Sequence, residues 1–404
     1  MKILHCSDIH LGKKPFGSKE YSEIRYNDYF LAFDKIVLSA IEKDIEVFLI
    51  SGDFFDKKEL VPQTLNKAED SLIKLKENNI EVLIIEGNHD NSKTGKEYNS
   101  WINYLENKGY FKKLEYSVNN DNDKEKDIYT FEKLIKDDVN FYGLGYPGHN
   151  IERVLDELNN QLNENENNIV MVHTAISEGD FLAGTANSAI IDEFKGKVKY
   201  MAGGHFHGFN TYPKENPYFF VPGSSEYWNI QNEKNQKKGY IIFDSEDVGK
   251  YEFFESEKRN RIIIKKDIIS DDVNDFNNEF DAIIKDLFIN EGEDIIILEL
   301  RILNNIFINT KYCEDALEAK GALKTFVKVK YSSDIKSNNF ENLTHAEIEK
   351  EIIKKWDVFG KNADEMVKVM EKLKNSQKEN NQEIFFDNFN MMIDSLIQGD
   401  NNEN

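Results

Sequence analysis

Short apolar runs recur along the first part of the chain, and many of them stop abruptly at a polar motif. The run at 47–50 is entirely apolar and is soon followed by Gly52 and Asp53. Such a run predicts a strand that is buried on both faces. The same pattern occurs at 2–7, 81–86, 169–172 and 198–201. Because open α/β sheets bind ligands at the carboxyl ends of their strands, the pattern predicts a layered α/β fold with a site at that edge.

Helical periodicity separates the predicted strands. The segment 26–43 has apolar residues at helical spacing. A second helix is predicted at 62–78, where a proline occupies the first turn, and a third at 151–162. The polar, highly charged stretch 117–126 predicts an exposed loop. Further strands are predicted at 139–144, 218–221, 239–243 and 251–254.

The sequence changes character near residue 255, where basic residues cluster in an otherwise acidic chain. A small α+β domain is predicted from alternating strands and helices at 261–265, 272–288, 294–300, 313–321 and 325–331. Amphipathic helical spacing follows, and the last residues predict a disordered tail. The predicted domains are 1–255, 256–335, the helical region 336–397 and the tail 398–404.

Composition and charge narrow the class of protein. A chain of 404 residues with 40% hydrophobic and 31% charged residues predicts a globular protein of two or three domains. No apolar run is long enough for a membrane helix, and the amino terminus lacks the pattern of a signal peptide. The two cysteines form no motif, so we expect reduced thiols and a cytoplasmic location. The net charge of −23 argues against non-specific coating of nucleic acid, but it does not exclude a nucleic-acid enzyme.

Residues that suit metal binding collect at the predicted strand ends. They are Asp8, His10, Asp53, Asn88, His89, His173, His205 and His207. Carboxylate, amide and imidazole groups without thiolate suit Mn²⁺, Fe²⁺ or Zn²⁺. The set is too large for one ion and fits two, which require a shared ligand such as a carboxylate. Each motif alone would more often be structural, but their recurrence in order at strand ends favours a metal site.

The motifs resemble the five motifs of the calcineurin-like metallophosphoesterases. They are Asp8-x-His10, Gly52-Asp53, Gly87-Asn88-His89-Asp90, His173 and Gly204-His205-x-His207. Three further segments, at 4–12, 52–56 and 222–226, are similar to the SbcD exonuclease and its archaeal and eukaryotic counterpart called meiotic-recombination-eleven. The phosphatase branch typically has an arginine-containing sequence after its Gly-Asp and a glutamate after its Asn-His, whereas this chain has Phe54-Phe55-Asp56 and Asp90. The resemblance covers 1–255 and implies a four-layer β-sandwich flanked by helices.

The resemblance also implies a role for each residue. One metal would be bound by Asp8, His10, Asp53 and His207. The other would be bound by Asp53, Asn88, His173 and His205, so that Asp53 bridges the two. His89 would stabilise or protonate the leaving group, and Asp90 would orient its imidazole. Some relatives carry a functional histidine three residues after the bridging aspartate, where this chain has Asp56.

The function implied by the resemblance is phosphodiester hydrolysis with two divalent ions, Mn²⁺ being the expected metal. It includes 3′→5′ exonuclease and single-strand endonuclease activity on DNA. The nuclease would act with an SbcC-type, SMC-like ATPase and would form a homodimer through helices after Pro62 and around 100–106. Two other functions stay open, namely a phosphodiesterase or phosphatase for small phosphoesters and a non-catalytic scaffold of an ATPase complex.

Two further surfaces are candidates for contacts with these partners. Arg259, Arg261, Lys265 and Lys266 could contact backbone phosphates, or they could belong to a solvated linker. The apolar positions at helical spacing within 336–397 could dock on the ATPase, or they could be buried within a small helical subdomain.

Overall fold

A computed structural model describes residues 1–90, 100–121, 126–177, 184–304, 306, 308–331, 350, 353, 363–378 and 389. The strands, in chain order, are β1 (Lys2–Cys6), β2 (Val47–Ser51), β3 (Glu81–Ile85), β4 (Lys112–Lys113), β5 (Tyr116–Asp121), β6 (Lys126–Phe131), β7 (Lys133–Lys136), β8 (Val139–Gly143), β9 (Asn167–Met171), β10 (Ala175–Ile176), β11 (Thr185–Ala186), β12 (Tyr200–Ala202), β13 (Asn210–Tyr212), β14 (Phe219–Val221), β15 (Gly239–Asp244), β16 (Asp247–Glu255), β17 (Arg261–Ile268), β18 (Ile295–Ile302) and β19 (Lys324–Tyr331). The helices are α1 (Lys19–Glu42), α2 (Pro62–Glu77), α3 (Trp101–Asn107), α4 (Ile151–Asn159), α5 (Ser188–Asp192), α6 (Val273–Lys285), α7 (Thr310–Ala319) and α8 (Ala363–Lys378).

Two six-stranded sheets form the centre of the fold. The strand order is β16-β15-β1-β2-β3-β4 in the first sheet and β13-β14-β12-β9-β8-β7 in the second. Strands β1, β2 and β3 pair in parallel, as do β8, β9 and β12 in the other sheet. Parallel pairing brings the carboxyl ends of neighbouring strands to one edge of each sheet, where the predicted site motifs begin.

Apolar side chains pack in three layers. Ile3 and Leu49 of the first sheet face Phe141 and Met171 of the second, in a buried cluster between the sheets. On the opposite face of the first sheet, residues such as Phe48 pack against α1, α2 and α3. A third cluster joins the second sheet to α4 and α5. Because the central strands are buried on both faces, most of their residues are apolar. The arrangement confirms the predicted α/β fold, a four-layer β-sandwich flanked by helices.

The stretch 117–126 was expected to be an exposed loop, and this prediction is wrong. Strands β5 and β6 form an antiparallel hairpin in which Tyr116 lies opposite Phe131. The ring of Tyr116 also stacks on that of Tyr129, with 6.3 Å between the ring centroids. These aromatic cross-strand contacts stabilise a pairing that the Asn- and Asp-rich sequence does not suggest. Residues 122–125 lie outside the described part of the chain.

After β16, the predicted alternation of strands and helices is confirmed. Strands β17, β18 and β19 form a three-stranded sheet in that order, with α6 and α7 between them in sequence. The chain divides into two compact units. The first comprises Met1–Lys266, Asn277–Leu300 and Ile308–Val329, and the second comprises Asp267–Phe276, Arg301–Phe307 and Lys330–Asn404. The predicted domain boundaries at 255, 335 and 397 are not tested by this division and stay predictions.

Helix α8 lies in the region 336–397, where helices were predicted. Ile353 packs with Met366 and Val367 of α8 in a small apolar cluster. Most of the remaining region, and the tail 398–404, lie outside the described residues. Among the helices that are described, none is both long enough and apolar enough to cross a membrane.

Candidate metal centre

The predicted metal-binding residues converge at one edge of the two sheets. Asp8 and His10 follow β1, Asp53 follows β2, and Asn88 follows β3. The second sheet contributes three imidazoles, because His173 follows β9 and both His205 and His207 follow β12. Interatomic distances of 3.1–4.0 Å link the members of this set into one continuous cluster. The structure therefore brings together the seven strand-end residues that are the proposed metal ligands.

The backbone at four of these positions is unusual. Asp8, His10, Asp53 and His205 have φ angles of 52°, 51°, 51° and 74°, which residues other than glycine rarely adopt. Main-chain hydrogen bonds hold two of them, since the Asp8 N–H donates to the Gly52 carbonyl and the His10 N–H to that of Asp53. Backbone strain of this kind persists only where the surroundings enforce it, and it clusters at functional sites.

Two glycines of the motifs are required by close packing around the ligands. A Cβ at Gly87 would lie 2.0 Å from Asp53 Oδ1, and one at Gly52 would lie 2.3 Å from His173 Nδ1. No side chain fits at such distances without moving the carboxylate or the imidazole. The glycines of Gly-Asp and Gly-Asn-His therefore allow the polar side chains to approach one another.

The polar groups form two sets. In the first set, His10 Nε2 lies 3.3 Å from His207 Nε2, and His207 Nε2 lies 4.0 Å from Asp8 Oδ1. In the second set, Asn88 Oδ1 lies 3.1 Å from both His173 Nε2 and His205 Nδ1. We call these the His207 set (Asp8, His10, His207) and the His173 set (Asn88, His173, His205).

Asp53 lies between the two sets. Its Oδ2 is 3.8 Å from His10 Nε2 and 3.3 Å from His173 Nε2. Its other oxygen, Oδ1, accepts the backbone N–H of His89 at 2.9 Å. The carboxylate is almost fully buried, with 3% of the side chain exposed. One carboxylate therefore reaches both sets, which is the geometry that a shared ligand requires.

The imidazole of His89 lies at the same site. Asp90 was expected to orient this ring, but the ring is held by a different residue. His89 Nδ1 donates to the main-chain carbonyl of Asp56 at 2.7 Å. The Asp90 carboxylate instead accepts the backbone N–H groups of Phe54, Phe55 and Gly87. Asp90 thus holds the loop after β2 against the loop after β3, because a buried carboxylate needs hydrogen-bond donors and three amides supply them.

Burial and charge set the protonation of the cluster. Burial lowers the pKa of His10 well below its ordinary value, so this imidazole is neutral, as a metal ligand must be. Burial also acts against the charged form of His173, but the Asp53 carboxylate outweighs it and raises the pKa of His173 to about 9. Against its own burial, His173 in turn holds the pKa of Asp53 well below the usual range. The buried carboxylate thus has a strong preference for a positive partner.

These groups fit a bound cation. In each of three groups of residues, the donor atoms all lie within 4.8 Å of one another. The groups are Asp8, His10 and His207; His10, Asp53 and His89; and Asp8, Asp53 and His173. The facing Nε2 atoms of His10 and His207 at 3.3 Å need a proton or a cation between them. Among the described residues, His10 Nδ1 is buried without a hydrogen-bond partner. The nitrogen and oxygen donors suit a divalent metal of borderline hardness.

Two residues that contact the site, Trp228 and Glu233, were missed by sequence reasoning. Trp228 Nε1 donates to the carboxylate of Asp56 at 2.8 Å, and its ring centroid lies 5.8 Å from that of His207. The Lys13 ammonium lies 3.6 Å from the Trp228 ring centroid and 3.3 Å from Asp56 Oδ1. Glu233 accepts from His207 Nδ1 at 3.1 Å. Trp228 and Glu233 follow the 222–226 segment, and their only sequence signal was that proximity.

The four basic residues proposed for phosphate contact are not brought together at the cluster. Arg259 pairs with Asp28, and Arg261 donates to the Ile230 carbonyl while its guanidinium lies over the Tyr227 ring. Lys265 pairs with Glu299 at the surface, and Lys266 is exposed. The two arginines therefore have structural partners within the first compact unit.

The fold and the site define the class of protein. A family model described as calcineurin-like phosphoesterase matches residues 1–209, which is more than half of the chain. The chain belongs to this family. Its two sheets flanked by helices and its clustered metal-binding groups are those of a metal-dependent hydrolase of phosphoester bonds.

The chain is also similar to particular proteins and solved structures. The chain is 27% identical over 286 residues to a DNA double-strand break repair protein Mre11 from Methanococcus maripaludis, which covers 66% of this chain and 70% of that protein. A protein of the same name from Archaeoglobus fulgidus is 27% identical over 239 residues, covering 57% of this chain and 51% of its own length. Among solved structures, a dimetal phosphatase from Danio rerio is 12% identical, covers 60% of this chain and 91% of that chain, and has a TM-score of 0.39.

Proposed function

We propose that the protein is a two-metal phosphodiesterase that cleaves DNA. One divalent ion is bound by Asp8, His10, Asp53 and His207, and the other by Asp53, Asn88, His173 and His205. The observation that supports this assignment best is the position of Asp53, whose Oδ2 lies 3.8 Å from an imidazole of one set and 3.3 Å from an imidazole of the other. The nitrogen and oxygen donors without thiolate suit Mn²⁺, Fe²⁺ or Zn²⁺, and Mn²⁺ is the metal that we propose from the resemblance.

When bound, such ions lower the pKa of a coordinated water and neutralise charge on a phosphoryl group. The residues of the chain supply the rest. His89 Nδ1 donates to the Asp56 carbonyl, which can only accept, so Nδ1 keeps its proton and the ring can act as an acid only as an imidazolium, whose second proton is at Nε2. We propose that His89 Nε2 donates this proton to the departing oxygen of the phosphodiester. The hydrogen bond to the main chain fixes the ring for this role.

The proposal that DNA is the substrate rests on the relatives. Both of the proteins described above are named for DNA double-strand break repair. The motif residues Phe54 and Asp90 differ from those of the phosphatase branch, which favours a nuclease over an enzyme for small phosphoesters. We propose 3′→5′ exonuclease and single-strand endonuclease activity. Lys265 and Lys266 are the candidates for phosphate contact whose side chains are most exposed.

The partners are further proposals. We propose that the chain is the nuclease subunit of a complex with an SbcC-type, SMC-like ATPase, which docks on the helical region 336–397. A homodimer through α2 and α3 is proposed from the resemblance, and Val61 and Tyr104 near or within these helices are exposed apolar residues that such a contact would cover. A cytoplasmic location stays a prediction.

Cleavage assays with Mn²⁺ test the proposed function. Purified protein, alone and with its ATPase, should degrade linear DNA from its ends. The His89→Ala variant should lose cleavage while it keeps both ions, because His89 is not among the proposed ligands. Hydrolysis of bis-p-nitrophenyl phosphate without any cleavage of DNA would instead favour the alternative of a phosphodiesterase for small substrates. Loss of metal from the His89→Ala variant would contradict the role assigned to His89.

A further inference from the structure

The Glu233 side chain lies behind one imidazole of the metal centre, on the side away from the other ligands. Its Oε1 accepts from His207 Nδ1 at 3.1 Å and from the backbone N–H of Asn229 at 2.8 Å. We propose that Glu233 is a positioning residue that sets the metal affinity of the His207 set, and that it does so without acting on the His173 set. This inference rests on the proposed two-metal function and adds a residue that lies beyond the segment matched by the family model.

The hydrogen bond selects one form of the imidazole. A carboxylate can only accept, so Nδ1 of His207 carries the proton. The neutral ring then presents a lone pair at Nε2, the atom that lies 4.0 Å from Asp8 Oδ1 and 3.3 Å from His10 Nε2. A carboxylate partner also makes a ligating imidazole more basic and fixes its rotation. Glu233 therefore holds His207 in the form and direction that a metal requires.

A buried lysine holds Glu233 in turn. Lys238 Nζ lies 2.5 Å from Glu233 Oε2, and only 1% of the lysine side chain is exposed. The same ammonium donates to the His207 carbonyl at 2.5 Å and to Ser224 Oγ at 2.9 Å. Lys238 thus contacts the backbone of His207 directly, and it holds the side chain of His207 indirectly, through Glu233. An ammonium this deeply buried is retained only where it is paired.

The His173 set is held in a different way. His173 Nδ1 donates to the main-chain carbonyl of Ser51 at 2.8 Å. A carbonyl of the backbone at the end of β2 cannot be removed by substitution, and it carries no net charge. The imidazoles of His207 and His173 therefore differ, since the first is held by an ionised side chain and the second by the main chain. Removal of Glu233 should weaken one ion and leave the other unchanged.

The test compares Mn²⁺ binding by the full-length wild type with that by Glu233→Gln and Glu233→Ala, using titration calorimetry and electron paramagnetic resonance. The Ala variant should bind one of the two ions about 10- to 100-fold more weakly, with the second unchanged. The Gln variant should bind this ion with an affinity between those of the wild type and the Ala variant, because an amide oxygen can still accept from Nδ1. At limiting Mn²⁺, the spectrum of the Ala variant should change from that of a coupled pair to that of an isolated ion.

Two further variants complete the comparison. Glu193→Ala removes a glutamate whose carboxylate accepts from the Asn159 amide, and it should bind both ions as the wild type does. If Glu233→Ala does not fold because Lys238 is left unpaired, the double variant Glu233→Ala/Lys238→Met removes that charge and should show the same loss of one ion.

The outcomes separate the inference from the function on which it rests. Wild-type protein that does not bind two Mn²⁺ ions would overturn the proposed function. Wild-type protein that binds two ions, together with an Ala or double variant that binds both equally well, would overturn the role of Glu233 alone. Equal weakening of both ions would also overturn it, since the effect would then not be confined to the His207 set.

Discussion

At the scale of single residues, the metal centre depends on side chains that the backbone forces together. Asp53 has a left-handed φ of 51°, and Gly87 packs so closely that a Cβ there would lie 2.0 Å from Asp53 Oδ1. These constraints place a nearly buried carboxylate between two sets of imidazoles. A buried carboxylate is unfavourable unless it is paired with positive charge or coordinated. Burial of the Asp53 carboxylate would be unfavourable without a positive partner, and Asp53 is the residue on which both proposed metals depend.

Substitution of Asp53 should accordingly affect both ions, whereas substitution of a ligand in one set should affect mainly one. We expect Asp53→Asn to weaken both Mn²⁺ ions by more than about 10-fold, and His207→Ala to weaken one ion by a similar factor. Metal titration of each variant by calorimetry checks this contrast. If Asp53→Asn weakened only one ion, Asp53 would be an ordinary ligand of one metal and not a bridge.

Strand-end reasoning found the seven proposed ligands because each follows an apolar run, and parallel strands bring such positions together. It could not find Glu233, which lies 26 residues from His207 along the chain in a segment without a metal-binding motif. The role of Asp90 was also misjudged, since adjacency in sequence to His89 suggested contact. The imidazole instead turns toward the carbonyl of Asp56, and only the three-dimensional arrangement shows this.

At the scale of secondary-structure elements, the strands were predictable where burial on both faces makes the sequence apolar. Strand β2 is buried at every position, and its sequence contains four consecutive apolar residues. The hairpin of β5 and β6 was missed because its strands carry Asn, Asp and Lys at many positions, and its stability comes from contacts such as that between Tyr116 and Tyr129. Pairing between strands is a tertiary effect that local polarity conceals.

The basic segment after β16 illustrates the same limit. Charge alone suggested phosphate contact for the arginines at 259 and 261, yet Arg259 pairs with Asp28 of α1. The sequence could not show this because the two residues lie 231 positions apart. The lysines of the same segment are more exposed, and phosphate contact by any of the four basic residues stays a prediction.

At the scale of the whole molecule, a buried ionic network joins distant parts of the first compact unit. Arg25 of α1 donates to Asp28 at 2.7 Å and to Glu226 at 3.3 Å, and the side chain of Arg25 is fully buried. The second oxygen of Glu226 accepts the backbone N–H of Arg259 at 2.6 Å. The network therefore connects a helix packed on the first sheet, the loop after β14 and the segment that leads into β17.

Removal of Glu226 should destabilise this unit strongly. Glu226→Ala leaves the Arg25 guanidinium with one fewer partner in a buried position, and we expect a loss of about 3–5 kcal/mol in the free energy of unfolding. Urea denaturation followed by circular dichroism measures the change. As a control, Asp247→Ala removes the partner of Lys250 in an exposed ion pair, and it should change stability by less than about 1 kcal/mol. A loss of stability in Glu226→Ala that is as small as that in the control would show that the buried network is not important for stability.

The proposed pair of metal ions can be seen directly by anomalous diffraction from crystals of the full chain grown with Mn²⁺. We expect two anomalous peaks at the edge of the sheets, one beside Asp8, His10 and His207 and the other beside Asn88, His173 and His205. The Asp53 carboxylate should contact both peaks. A single peak, or two peaks of which only one contacts Asp53, would contradict a bridged two-metal centre.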